Sequence, residues 1–147
     1  MVNTIIQQSM LRKAKTEGII DFDVVDHTNL HRQIAHASAD EGRSKVDSLR
    51  DTILAGNPNI EVEVYNTRLE RKNVLELFRQ YDIIADGSDN FETRYLISDA
   101  AYFTKKPLVS ASIFRFQGQI TIFAPKSGGP CYRCLYSEPP PAALVPS

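Results

Sequence analysis

Residues 21–33, DFDVVDHTNLHRQ, follow the short apolar run Gly18-Ile19-Ile20 and gather carboxylates, an amide and an arginine into one loop. That is the composition of a nucleotide site. In a parallel α/β sheet, an acid at the carboxyl end of the second strand accepts hydrogen bonds from a ribose, and an arginine about a turn later neutralises phosphate by bidentate contacts. Asp21 and Arg32 stand at those two places.

Working outward, strand and helix signals alternate, which predicts βαβ units and an α/β fold with a mainly parallel, Rossmann-like sheet and helices on both faces. Residues 19–22 read as a strand. Residues 41–55 read as a helix with Val46, Leu49, Ile53 and Leu54 on one stripe, stopped by Gly56, Asn57 and Pro58. Residues 60–65 alternate as a strand should, and Val74, Leu75, Leu77 and Phe78 suit a short helix. A buried strand over 82–85 opens into Gly87 and Ser88, followed by a helix over 90–103. Strands over 107–111 and 119–123 close the pattern, the second turning back antiparallel after Gly118.

The remainder is a tail. Residues 125–147 hold six of the eight prolines and the pair Gly128-Gly129, so an irregular loop is expected there, with a CxxC at its base. The chain thus divides into an atypical, helical N-terminal segment (1–17), a partial nucleotide-binding α/β domain (18–124) and the Pro-rich loop (125–147), with one domain as the default at this length.

Several side chains carry two readings each. Asp89 in DGSDN, at the mouth of a strand, can hold a magnesium ion that bridges phosphates, or it can form a capping box with Glu92. Lys45, read as opening the second turn of its helix, can meet a phosphate or belong to a solvated face. Arg32 can be a surface ion-pair partner, and Asn29 can cap a turn. His27 and His31 have helical metal-pair spacing, but the flanking polar residues favour loop histidines, and His36 is read the same way. Cys131 and Cys134 supply half of a tetrahedral zinc site, or two free thiols; a redox motif expects a helix N-terminus, which the proline-rich sequel does not support.

Composition narrows the classes. With 17 basic and 18 acidic residues interspersed among 147, no global field argues for nucleic acid or an anionic membrane. Gln7, Gln8, Arg12, Lys13 and Lys15 interrupt any signal-peptide core, so a cytoplasmic address is expected, and paired cysteines in a reducing compartment suggest metal or redox use.

Taken in order, DFDVVDHTNLHRQ, GRSK around Lys45, DGSDN, FQGQITIF and CYRC resemble the ThiF/MoeB/HesA-type adenylyltransferases, which belong with the ubiquitin-activating enzymes, and within them the molybdopterin-synthase and thiamine-pathway members. The resemblance spans residues 18–147. It implies an enzyme that uses MgATP to adenylate the C-terminal glycine of a small ubiquitin-like sulfur-carrier protein. It assigns Asp21 to the ribose; Thr28, Asn29 and Arg32 to the nucleotide loop; Lys45 to phosphate; Asp89 to magnesium; Asn90 to the nucleotide; and Cys131 with Cys134 to the first half of a zinc site. Arg32, Lys45 and Asp89 are the implied catalytic residues.

The chain departs from that family in two places. The glycine-rich phosphate loop and the strand leading to it are missing, since no glycine precedes Gly18, and the second CxxC is absent. An internal segment of a larger enzyme is therefore expected, completed by a longer chain, a homodimer or a complementing chain. Two other classes stay open: a non-catalytic partner subunit that binds a ubiquitin-like protein through an exposed sheet face, and an NAD-dependent oxidoreductase, which shares the ribose-binding acid.

Overall fold

The computed structural model describes residues 15–114 and 117–138, and the chain divides between Leu69 and Glu70 into two compact units. The helix expected over residues 4–15 lies, except for Lys15, outside the described residues. Thr16 and Glu17, grouped with that segment above, belong to a strand.

In the first unit that strand, β1 (Thr16–Asp21), pairs in parallel with β2 (Glu61–Asn66), from Thr16 opposite Glu61 to Asp21 opposite Asn66. The crossover contains α1 (Lys45–Gly56), which buries Val46, Leu49 and Ile53 at helical spacing. Leu49 and Ile53 join Ala35 and Ile60 in an apolar core against which Ile19, Leu54 and Val62 pack. Each leucine or isoleucine of that core contributes about 1.5–3 kcal/mol on full burial.

Helix α1 starts at Lys45, four residues later than its sequence suggests. Gly42 takes φ +81, open to glycine without strain, and residues 42–45 bond back to the loop after β1: Val25 N to Arg43 O (2.8 Å), Gly42 N to Val25 O (2.9 Å) and Lys45 N to Asp23 O (3.0 Å). Those backbone groups are committed across the loop before the helix can claim them.

One residue in β1 is out of keeping with its place. Glu17 is 4% exposed, its Oε2 has no hydrogen-bond partner among the described residues, and burial pushes its carboxyl from the ordinary 4.5 up to about 7.

The second unit runs α2 (Val74–Arg79), β3 (Ile84–Asp86), α3 (Phe91–Thr104), β4 (Leu108–Phe114), β5 (Gln117–Phe123) and α4 (Tyr132–Leu135). Strand β3 is parallel to β4, and β4 is antiparallel to β5. Val74 and Phe78 of α2, and Tyr95, Ile97, Ala100 and Ala101 of α3, are buried with Ile84, Leu108 and Phe123 of the sheet. Gly118 is not the turn: it lies within β5, opposite Ile113 of β4.

Two of the three strand pairings are parallel and each unit has a helical crossover, so the α/β class is as expected. The strand orders are β1-β2 in the first unit and β3-β4-β5 in the second. No helix among those residues is long and apolar enough to cross a membrane.

Candidate functional site

At the end of β1, Asp21 Oδ1 accepts the Asp23 backbone N–H at 2.9 Å and swings the chain off the strand. Val24 then bridges to Ser44, which delivers Lys45 to the start of α1. Lys45 is the first helical residue and not the opener of a second turn. Its side chain is 12% exposed and its ammonium lies 2.8 Å from Asp23 Oδ2. A cation at a helix N-terminus opposes the macrodipole, and the paired Asp23 carboxylate offsets that.

Thr28, Asn29 and Arg32 come together. Asp26 caps the turn His27–Asn29 by accepting from the Thr28 N–H at 2.7 Å and from its hydroxyl, and these bonds hold the Asp26 carboxyl below its usual range. The Arg32 guanidinium donates to Asn29 Oδ1 at 2.7 Å and to the Thr28 carbonyl at 3.1 Å, so its exposed head is positioned by the loop it belongs to. Arg32 is accordingly braced within its own loop, and among the described residues it joins no salt bridge. His31 lies against Arg32 at 3.4 Å. His36 does lie in the loop, but it is buried there: its Nδ1 is 2.8 Å from Ser48 Oγ, and burial lowers its pKa.

In the second unit Asp86 ends β3 buried, its Oδ1 accepting the Ser88 N–H and hydroxyl, both at 2.8 Å. The helix cap falls to Asn90, whose Oδ1 accepts the Thr93 N–H at 2.8 Å, and not to Asp89 with Glu92. An asparagine one residue nearer the helix satisfies the same orphan donor. Asp89 is left exposed, with the Asn90 amide 3.5 Å from Oδ1. A single carboxylate of this kind suits magnesium, which keeps waters and substrate phosphates as its other ligands.

Sequence reasoning missed Arg94. Its Nε and Nη2 donate to the Ser88 carbonyl at 3.0 and 2.8 Å, and its guanidinium lies over the Phe91 ring at 5.5 Å. It borders a pocket of about 170 Å³ floored by Ser110, Ser112, Gln119 and Thr121 and walled by Tyr132 and Tyr136, among others. Ser110 faces Thr121 and Ser112 faces Gln119, so alternate positions of an antiparallel pair give one polar face. The only signal in the sequence was that alternation, whose partners lie in different strands.

The CxxC stands on structure where an irregular loop was expected. Cys131 caps the one-turn helix α4, so the proline run from 139 begins only after the helix has ended. Tyr132 is buried against Tyr95, Phe123 and Tyr136, with ring centroids 4.8–5.9 Å away. Arg133 holds Asp99 through two bonds of 2.7 and 2.8 Å and lies over the Tyr95 ring at 4.6 Å. The two sulfurs are 3.6 Å apart. Two thiolates on one tetrahedral zinc, each about 2.3 Å from the metal, stand about 3.8 Å apart, so the pair fits half of such a site.

Residues 14–147 match the model of the ThiF family. The chain is 55% identical over 135 residues to the probable adenylyltransferase/sulfurtransferase MoeZ of Mycobacterium tuberculosis, covering 90% of this chain and 34% of the relative. It is 49% identical to the adenylyltransferase and sulfurtransferase MOCS3 of Culex quinquefasciatus, covering 87% and 29%. It is 44% identical to the sulfur carrier protein adenylyltransferase of Thermus thermophilus, covering 88% and 49%. The chain thus spans between about a third and half of the length of these relatives. Among solved structures, E. coli MccB superposes with a TM-score of 0.73 at 19% identity, covering 88% of this chain and 45% of the other. PaaA superposes at 0.69 and 20%, covering 87% and 47%.

Proposed function

Since the chain belongs to the ThiF family, we propose that it carries the nucleotide-binding part of an ATP-dependent adenylyltransferase that activates the C-terminal glycine of a ubiquitin-like sulfur-carrier protein, of molybdopterin or thiamine type. The observation that carries this is the loop after β1. An acid at the strand end, an arginine braced by Thr28 and Asn29 and a sheltered lysine at a helix N-terminus follow one another within 25 residues.

In this reading Asp21 accepts the ribose hydroxyls, while Lys45 and Arg32 neutralise phosphate oxygens. The carrier's carboxylate attacks the α-phosphorus, the bond to the β-phosphate oxygen breaks, and pyrophosphate leaves with the electron pair. Two anions meet in that step, so fixed cations lower its barrier by cancelling charge as it builds. Asp89 would hold magnesium, which when bound neutralises the pyrophosphate, and Asn90 stays engaged as the helix cap beside it. The polar-floored pocket at Arg94 suits an extended peptide ending in a carboxylate. Cys131 and Cys134 would hold zinc in a purely structural role. A cytoplasmic address and a complementing or second chain belong to the same reading.

The test is ATP–pyrophosphate exchange with a sulfur-carrier protein. Exchange that is lost in Asp21→Ala and Lys45→Met, with the circular dichroism spectrum retained, supports it; exchange indifferent to both substitutions overturns it. A second reading, a non-catalytic subunit that binds a ubiquitin-like protein, is favoured by the face of β4-β5 opposite the pocket. There Ile113, Ile120 and Ile122 are exposed, Ile122 by 68%. Carrier binding without exchange would select it.

A further inference from the structure

His36 is buried, unlike His27 and His31, and it has no part in the adenylation chemistry described above. Its Nδ1 lies 2.8 Å from Oγ of Ser48, itself 1% exposed on α1. After the Ala37 N–H and the Arg43 guanidinium, the Ser48 hydroxyl also helps to hold the Asp40 carboxyl below its usual range. An ionised carboxylate only accepts, so the single Ser48 proton goes to Asp40 and the imidazole Nδ1–H donates to Oγ.

A second bond fastens the same loop one turn further along α1, where the Thr52 hydroxyl donates to the Ala35 carbonyl at 2.7 Å. Lys45, Ser48 and Thr52 are spaced i, i+3 and i+7, so the loop is tied to the stripe of the helix that begins at Lys45. On the loop side the His36 N–H bonds to Gln33 O at 3.1 Å, the Gln33 N–H bonds to Asn29 O at 2.9 Å, and Asn29 braces Arg32. A short chain of hydrogen bonds therefore joins the arginine to the helix of the lysine. Burial dominates the lowered pKa of His36, and the charges that act on it next are Asp40, Lys45 and Asp21, two of which the resemblance assigns to the nucleotide.

We propose that His36 is a positioning residue for the triphosphate: its bond to Ser48 holds the loop of Arg32 against the helix of Lys45 and so sets the spacing of the two cations. His36 itself touches no substrate. This inference rests on the adenylation reading. A shift of about 1 Å in a positioned group is enough to cost binding or rate, and here the cost falls on phosphate contacts. Adenosine, which has no phosphate, does not sense that spacing.

The experiment compares ATP and adenosine affinities by calorimetry for the full chain and for His36→Ala, His36→Phe, His36→Asn and Ser48→Ala. Phenylalanine keeps a buried ring without the bond, whereas asparagine keeps an amide donor near the place of Nδ1. His36→Ala, His36→Phe and Ser48→Ala should each weaken ATP about tenfold and leave adenosine within about twofold. Combining His36→Ala with Ser48→Ala should do no more than either change alone, because both remove one bond, and His36→Asn should recover most of the loss. ATP and adenosine weakened in step, additive losses, or His36→Phe equal to the parent would overturn the proposal. A parent chain that binds ATP no better than adenosine overturns the adenylation reading and this proposal with it; a parent that prefers ATP, with variants that keep the preference, overturns the proposal alone. Should the His36 variants not fold, Ser48→Ala, which removes a single oxygen, decides the question against the parent.

Discussion

Replacing Glu17 with leucine should stabilise the protein more at pH 8 than at pH 5. The carboxyl is buried in β1 with no partner for Oε2 among the described residues, and burial pushes it from 4.5 to about 7. Below pH 4.5 it is neutral both folded and unfolded and costs nothing electrostatically. Between 4.5 and 7 the unfolded chain releases the proton that the folded chain keeps, so stability falls as pH rises, and above 7 the loss is complete. At about 1.4 kcal/mol per pH unit the full loss is about 3.5 kcal/mol, of which about 2.5 kcal/mol falls between pH 5 and pH 8. Leucine abolishes this pH-dependent part and adds apolar burial that does not vary with pH.

Urea denaturation of both proteins at the two pH values gives the comparison directly. The difference between variant and parent isolates Glu17 from the carboxylates of Asp26, Asp40 and Asp51, whose pKa values are lowered by hydrogen bonds and act in the opposite direction. An equal advantage for leucine at both pH values would refute the reasoning, since a Glu17 that titrates normally carries no pH-dependent penalty.

Two further changes test the frame of the second unit. Asn90→Ala removes the cap on the Thr93 N–H and should cost about 1 kcal/mol in chemical denaturation, whereas Asn90→Asp should cost much less and Asp89→Ala should leave stability nearly unchanged. Tyr132→Ala empties the ring cluster that seats the CxxC helix and should cost about 3–5 kcal/mol; tryptic cleavage at Arg133, followed by mass spectrometry, should quicken in parallel.

Much of the fold was legible from pattern alone. The spacing of Val46, Leu49 and Ile53 marked α1, and the alternation of residues 60–65 marked β2, because burying one face imposes its period on the chain. The misses share another cause. The start of α1 was set by bonds to the loop around Val25, some twenty residues earlier in the chain. His36 is buried by a helix whose Ser48 it meets, and α4 exists because Tyr132 finds rings on α3 and β5.

The letters by themselves determined the α/β class, the family likeness and which side chains carry charge, amide or thiol, for these follow from local period and residue type. Tertiary structure decided what those groups are free to do. It gave the cap to Asn90 and left Asp89 open, sheltered Lys45 against Asp23, and joined four polar strand residues to Arg94 around one pocket. The physical reason is that hydrogen bonds and desolvation depend on neighbours in space, and those neighbours lie far apart along the chain.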